Sequence, residues 1–208
     1  MRHLISFFIV FCLHEILQAS SDQETAVVRC QKQYEGKKRP TGPVSCARMA
    51  NPAGALRIKN FSGHTIEDLL ATAMTIKETD IDNVTFAEVR MSELSLFKVK
   101  MTQSHISRAL MTGLRLTRVE MHDVEVTDSN MSGTKCLESS LRGSVFIKTT
   151  FDQSIFESCN LENVKFIGVS LKRAIFISSS LKGAQYDSET KLPFSDEIAA
   201  KKGMIKID

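Results

Sequence analysis

The feature that most constrains this chain is an apolar residue at every fifth position over residues 81–186. Counting from Ile81 to Tyr186 in steps of five gives 22 positions, and every one of them is apolar. Since 42% of the chain is hydrophobic, such a run arises by chance with odds on the order of 10⁻⁸. A period of five matches neither the roughly 3.6 residues of an α-helical turn nor the alternation of a flat strand. The chain is therefore predicted to turn a corner every five residues.

A second phase of the repeat also points inward. The residue two before each central position is small or of medium size and is never charged, whereas all 25 charged residues between Ile81 and Asp187 occupy the other three phases. Every glycine of this region lies two residues after a central position, which predicts tight corners there. Cys136 and Cys159 both fall in inward phases without being stacked neighbours, so two buried free thiols are expected.

Several segments come close to the motif A-(D/N)-L-X-X, among them SNMSG, ESSLR, ESCNLEN, GVSLKRAIF and SSSLKGAQY. In these the sequence resembles the pentapeptide-repeat family over residues 81–187, although residues 84–126 use Val before the centre and Met at it. The resemblance implies an all-β fold, a right-handed quadrilateral β-helix with four repeats per coil. On that basis 22 repeats form about 5.5 coils.

The two ends of such a stack need covering, because open β-edges invite further pairing. Residues 65–80 begin with a capping-box-like TIED and an apolar pattern, which predicts a capping helix from Thr65 to about Lys77. Residues 188–208 are predicted to form a C-terminal cap with a short helix near Asp196–Lys202.

The N-terminus is typical of a secretory signal peptide. Within residues 1–21, a short basic start precedes the ten-residue apolar run Leu4–Leu13 and the small residues Ala19 to Ser21. Ten residues are too few to span a bilayer as a helix, so no stable membrane span is predicted. A buried N-terminal helix is the alternative. The chain is expected to be secreted or periplasmic.

Residues 22–64 are predicted to form an irregular N-terminal segment with a disulfide. Cys30 and Cys46 flank a polar loop that contains Pro and Gly, and an oxidising compartment would favour their pairing. A zinc site is the alternative, but no CxxC motif or nearby pair of histidines supports it. Three N-glycosylation sequons begin at Asn60, Asn83 and Asn130. They matter only in a eukaryotic source, whereas the resemblance implies an exported bacterial member.

No catalytic, metal-binding or cofactor-binding residues stand out. After removal of the signal peptide, His64, His105 and His122 remain, and none shares an obvious carboxylate or thiol partner. The sequence contains no phosphate-binding loop, nucleophile elbow or HExxH motif. Because side chains fill the predicted interior, no substrate cleft of the usual kind is expected. The chain is therefore predicted not to be an enzyme and to need no cofactor.

Charge limits the class of partner. Some members of the resembled family mimic DNA, which requires a strongly acidic surface, but residues 81–187 hold 13 basic and 12 acidic residues. This balance argues against DNA mimicry and against nucleic-acid binding. The favoured interpretation is an exported interaction scaffold, acting in the cell envelope or toward a host. The alternative is a purely structural envelope protein without a specific partner.

One side of the predicted β-helix carries outward apolar residues, which suggests an interface with an unidentified protein. These residues are Phe97, Leu137, Ile155, Ile175 and Ile177. The alternative is that the C-terminal tail folds back over them with Leu192, Phe194 or Ile198. The resemblance adds the expectation of a homodimer formed through the C-terminal end.

Overall fold

The fold, given by a computed structural model that describes residues 27–29, 55–56, 65–67, 70–73 and 75–208, is a four-sided parallel β-solenoid. From residue 65 onward, each short strand pairs in parallel with chain 20 residues before or after it, whereas Val27–Arg29 pairs with residues 38 positions later. His105, for example, lies between Thr85 and Glu125. A coil therefore contains 20 residues and four sides, which we name faces A to D in chain order.

The faces are built from the following strands. Face A consists of β1 (Val27–Arg29), β3 (Thr65–Glu67), β6 (Thr85–Ala87), β10 (His105–Ser107), β13 (Glu125–Thr127), β15 (Val145–Ile147), β17 (Lys165–Ile167), β19 (Gln185–Tyr186) and β20 (Ile205–Lys206). Face B consists of β4 (Leu70–Thr72) and β7 (Arg90–Ser92), continued by single bridges. Face C consists of β2 (Ala55–Leu56), β5 (Thr75–Lys77), β8 (Ser95–Phe97), β11 (Arg115–Thr117), β14 (Lys135–Leu137), β16 (Ile155–Glu157) and β18 (Ile175–Ile177). Face D consists of β9 (Lys100–Thr102) and β12 (Glu120–His122), again continued by bridges.

The core lies along the axis of the stack and confirms both inward phases. Every residue of those phases from Ile81 to Tyr186 is buried except Phe176 and Ser179, which lie near the C-terminal end. The ring of Phe151 meets Phe146 edge-on at 5.0 Å and Phe156 at 5.8 Å, so three phenyl rings fill one layer. The interior is a packed column of side chains, not a channel.

The hydroxyl-bearing residues of the inner phase join successive coils. Ser144 Oγ accepts a hydrogen bond from Val124 N at 3.1 Å and donates one to Met121 O at 2.8 Å. Ser104, Ser129, Ser139, Ser154 and Ser179 accept the same bond from the coil below. Burial without such partners would be costly, and no buried side-chain N or O atom within the described residues is left unsatisfied.

Replacing Ser144 by alanine tests this role. The variant should lose about 1–3 kcal/mol of unfolding free energy, because the buried Val124 N–H and one acceptor site on Met121 O lose their partner. Denaturant titration measures the change. Ser132→Ala, at an outward position of face B, is the control and should change stability by less than about 0.5 kcal/mol. Equal losses in the two variants would contradict the role assigned to Ser144.

The corners adopt the left-handed conformation at the predicted phase. Gly143 has a φ of 72°, which favours glycine, and a Cβ at this position would lie 2.7 Å from Asp123 Oδ1, so the Asp123 side chain would have to shift to admit one. Charged residues occupy the same corner position in other coils, including Glu88 at 56° and Lys98 at 51°. The stacked hydrogen bonds impose this conformation even where the side chain disfavours it.

The predicted capping helix at residues 65–80 is wrong. Thr65–Glu67, Leu70–Thr72 and Thr75–Lys77 are the strands β3, β4 and β5, which pair in parallel with β6, β7 and β8. Ile66, Ala71 and Ile76 in fact continue the five-residue spacing that ends at Tyr186. Pairing with the next coil supplies the backbone hydrogen bonds that a helix would have formed within itself.

The stack is consequently longer than 5.5 coils. Face A alone has seven strands at 20-residue intervals from β3 to β19, so the solenoid makes about seven turns. The segment 22–64, predicted to be irregular, contributes the strands β1 and β2, which pair with β3 and β5. The predicted signal peptide and the predicted Cys30–Cys46 disulfide lie outside the described residues.

The predicted C-terminal helix is present as α1 (Asp196–Lys201), with Ser195 as its N-cap. Strand β20 follows and pairs with β19, which extends face A past the last coil. Lys206 Nζ binds Asp196 Oδ2 at 2.7 Å and ties the helix to this strand. Desolvation by burial raises the pKa of Tyr186 above its ordinary value, and the neighbouring Asp196 carboxylate raises it further.

One extra residue interrupts the five-residue spacing just before this cap. Ser170 bridges to Lys191, which is 21 residues later, instead of to the residue 20 later. Asp187 supports the turn by accepting hydrogen bonds from Gly168 N at 3.0 Å and Thr190 N at 2.9 Å. Desolvation raises the pKa of Asp187, but the bonds donated by Thr190 and Gly168 outweigh it and lower the pKa below its ordinary value.

Candidate protein-interaction surface

The closest approach to a catalytic pair is on face D, where His122 Nε2 lies 2.8 Å from Ser140 Oγ. A serine nucleophile also needs donors that stabilise an oxyanion. The backbone N–H of Ser140 is bonded to Val119 O, and that of Met121 to Ser140 O, so the ladder already uses both donors. The other histidine of the described residues, His105, lies on face A, and its Nδ1 is 3.7 Å from Glu125 Oε1. This pair lies on a different face, so the two histidines do not form one site.

An open depression of about 410 Å³ lies at the corner between faces C and D. Its lining includes Arg118 and Glu138, whose side chains form an ion pair at 2.9 Å across it. The Arg118 and Glu138 side chains therefore pair with each other and do not form a charged site for a ligand. Over the described ranges, no group of three or more His, Cys, Asp or Glu residues is placed to hold a metal ion. No helix in that part of the chain is long and apolar enough to cross a membrane.

The outward residues of face C form two columns, one on each side of the central residues. Ile155 stacks on Lys135 and under Ile175 in the first column. In the second column, Leu137 is followed by Glu157 and then by Ile177. At an inter-strand spacing of about 4.8 Å, the four apolar side chains cover three consecutive strands. We call Leu137, Ile155, Ile175 and Ile177 the apolar patch.

Phe97, the fifth predicted residue, does not join the patch. Thr117 separates it from Leu137 in the same column. Its ring is half-buried, and Lys98 Nζ lies 5.3 Å from the ring centroid. The ammonium group thus covers part of the ring that an interface would use.

The C-terminal tail covers the end of the stack but leaves the patch open. Phe194 packs against Phe176 with ring centroids 6.0 Å apart, and Leu192 also contacts the core. Ile175 and Ile177 on either side of Phe176 nevertheless keep 52% and 46% of their surface exposed, and Leu137 keeps 36%. Ile198 of α1 is itself 43% exposed. The alternative in which the tail buries these isoleucines is therefore not what the structure shows.

A disulfide joins Cys136 to Cys159, which corrects the expectation of two free thiols. Cys136 is the central residue of β14 beneath the patch, and its Cα lies 6.4 Å from that of Cys159. The two residues are 23 apart in sequence, the same offset that joins Ser144 to Met121 and Ser179 to Phe156. An inner residue of one coil thus touches the central position 23 residues earlier. Residues in one phase stack at an offset of 20, and the prediction of two free thiols rests on that offset alone.

Comparison with known proteins agrees with this architecture. The family model described as pentapeptide repeats matches eight copies, at residues 126–163 and 154–185. The matched residues, 126–185, make up less than a third of the chain, and over them the chain is similar to the pentapeptide-repeat family. Proteins of this family are generally non-enzymatic structural or interaction proteins.

Several solved structures similar to the chain are pentapeptide-repeat proteins. One is Rfr23 from the cyanobacterium Cyanothece 51142, with 22% identity and a TM-score of 0.43 over 45% of this chain and 63% of that one. Another is HetL from the cyanobacterium Nostoc sp. strain PCC 7120, involved in heterocyst differentiation regulation, with 14% identity, a TM-score of 0.41 and coverage of 66% and 78%. A third is QnrB1, a plasmid-mediated fluoroquinolone resistance protein, with 12% identity, a TM-score of 0.39 and coverage of 74% and 92%. The chain thus spans less than two thirds of Rfr23, and no protein of curated function matches its sequence significantly.

Proposed function

We propose that this chain is an exported, non-enzymatic protein that acts by binding another protein through the apolar patch on face C. The proposal rests on the exposure of Ile175 and Ile177. The C-terminal tail packs on the ring of Phe176 between them and leaves both isoleucines exposed. Exposed apolar residues grouped on one face mark interfaces more often than they occur by chance. A second copy of the chain is the first partner to test, because the patch lies next to the C-terminal end of the stack.

Because side chains fill the interior, a binding site must lie on the outer surface. Central residues such as Leu141, Phe146 and Phe151 have no exposed area, so no substrate could enter the column. Some outward charges pair along the corners, as in Arg108 with Glu88 at 2.9 Å and Arg118 with Glu138 at 2.9 Å. These surface pairs limit the long-range field that a nucleic-acid-binding protein would use.

Export is the second part of the proposal. The basic and apolar order of residues 1–21 favours a signal peptide, and the Cys136–Cys159 disulfide is typical of proteins in oxidising compartments. Secretion and periplasmic residence are both consistent with these features. Residence in either compartment would allow the protein to act in the cell envelope or toward a host.

Light scattering on Ile175→Lys/Ile177→Lys tests the patch. If the parent protein self-associates, the variant should be a folded protein whose association is weaker by on the order of 100-fold, because two ammonium groups would have to be desolvated. Thr85→Lys/Ala87→Lys makes the same change on the two outward positions of β6 on the opposite face, and it should associate like the parent.

The alternative function makes a different prediction in the same experiment. A purely structural envelope protein would remain monomeric, and neither pair of substitutions would change the mass in solution or remove a bound protein. Association that persists in Ile175→Lys/Ile177→Lys would place the interface elsewhere and contradict the proposal.

A further inference from the structure

The sequence contains a modification motif that the proposed function leaves unused. Three of its six asparagines are followed two residues later by Ser or Thr, with no proline between. This motif is the acceptor for N-linked oligosaccharides in secreted proteins. Asn60 lies outside the described residues, Asn83 is at a corner between faces D and A, and Asn130 is on face B. Asn130 offers the most favourable geometry.

Asn130 stands on the outside of the stack. It bridges to Leu110 in the coil below and to Thr150 in the coil above, and its side chain is exposed. Its neighbours on face B are the partly exposed Leu110 below and the short Thr150 above, and Asn130 itself remains exposed between them. A bulky glycan at this position would extend into solvent without displacing any core residue.

The motif is already folded into a local turn. Asn130 Oδ1 accepts a hydrogen bond from the backbone N–H of Ser132 at 3.0 Å, which holds the amide and the hydroxyl-bearing residue on the same outward face. The bond uses Oδ1 and not Nδ2, the atom that would carry the sugar. Asn160 makes the same bond to Glu162 N at 2.9 Å, but the residue after the turn is Glu instead of Ser or Thr. The chain therefore contains a second asparagine in the same local turn, partly exposed on face D, that has no hydroxyl-bearing residue two positions later.

A separate observation indicates the compartment. The Cys136–Cys159 disulfide is buried in the middle of the stack, so it forms before or during folding in an oxidising environment. In a eukaryotic source this environment is the lumen in which N-glycans are attached. This step rests on the export that we proposed above.

We propose that Asn130 carries an N-linked oligosaccharide when the chain passes through a secretory pathway that contains an oligosaccharyltransferase. Nδ2 of Asn130 attacks the anomeric carbon of an oligosaccharide linked to a lipid pyrophosphate. A C–N bond forms, the C–O bond to the pyrophosphate breaks, and the lipid pyrophosphate leaves with the electron pair. One amide proton is lost to a base of the transferase, and no redox change occurs.

The position has a consequence for the interaction surface. Face B adjoins face C, and Asn130 lies in the same coil as β14, two coils before β18 with Ile175 and Ile177. A glycan there shields the polar face and leaves Ile175 and Ile177 open, so modification and protein binding are compatible. It would also restrict where a second chain can approach.

The test uses the full chain secreted from a eukaryotic host, once with its own N-terminus and once with residues 1–21 replaced by a leader of proven function. Peptide mass spectrometry before and after treatment with a peptide-N-glycosidase identifies each occupied asparagine by its conversion to aspartate. Asn130 should be converted, Asn160 should not, and Ser132→Ala should abolish conversion at Asn130 without unfolding the protein.

The outcomes separate this inference from the proposed export. An unmodified Asn130 in protein secreted by the added leader overturns the inference. Retention of the chain with its own N-terminus, together with a glycan at Asn130 in the other version, overturns the export proposal and leaves the inference standing. Conversion that persists in Ser132→Ala would show that the motif is not what directs the modification, and it too overturns the inference.

Discussion

Replacing Phe151 by aspartate should unfold the solenoid. Phe151 has no exposed surface, and its ring is enclosed by Phe146 and Phe156 in the same layer. Loss of the buried ring alone costs about 3–5 kcal/mol, and an unpaired buried carboxylate adds several more. The sum is comparable to the whole unfolding free energy of a typical domain, about 5–15 kcal/mol. Circular dichroism at 25 °C should show loss of the β-signal.

Gln153→Asp is the matched control, since it introduces the same carboxylate two residues away. Gln153 is exposed at a corner with a φ of 59°, a conformation that aspartate tolerates. Its unfolding free energy should stay within about 0.5 kcal/mol of the parent. Similar melting temperatures for the two variants would mean that Phe151 does not point into the core.

The second large effect is expected from the disulfide. Replacing Cys136 by valine and Cys159 by alanine should lower the unfolding free energy by roughly 3 kcal/mol, the loop-closure term for a cross-link between residues 23 apart. The two side chains are buried, so the small apolar replacements limit any further cost from packing. Denaturant titration of the oxidised parent and the variant measures the difference.

Reduction provides the control for this prediction. A reducing agent should destabilise the parent toward the variant and should leave the double variant unchanged. A parent that binds two equivalents of thiol reagent at Cys136 and Cys159 after denaturation without reductant would contradict the cross-link. In that case these two cysteines would be the free thiols that their inward phases suggested.

The sequence predicts the solenoid from Ile81 to Tyr186 because the two inward phases recur without exception and every glycine of this region lies in one corner phase. The start of the stack was predicted less well. Ile66, Leu69, Leu70 and Ala73 are spaced as in an amphipathic helix, and the five-residue spacing of Ile66, Ala71 and Ile76 is also present. Pairing of β3 with β6, a tertiary contact, decides between the two patterns.

The candidate interaction surface was predicted in part. The outward phase identifies Ile155, Ile175 and Ile177 as neighbours on one face, because residues 20 apart stack. The path of the tail depends on contacts that no repeat encodes, such as the packing of Phe194 on Phe176. The disulfide joins an inner residue to the central residue 23 positions earlier. This is a diagonal contact between coils, which the stacking offset of 20 does not predict.

The most direct test of the proposed function is to place a photo-reactive phenylalanine analogue at position 177 in the patch, and at position 112 on face B as a control. Illumination at concentrations where the protein is associated should give a covalent product from position 177 only, and mass spectrometry would identify the protein attached to it. A product at twice the chain mass would identify a second copy of the chain as the partner. Cross-linking from position 112 with none from position 177 would contradict the account, because the binding surface would then lie on face B and not on face C.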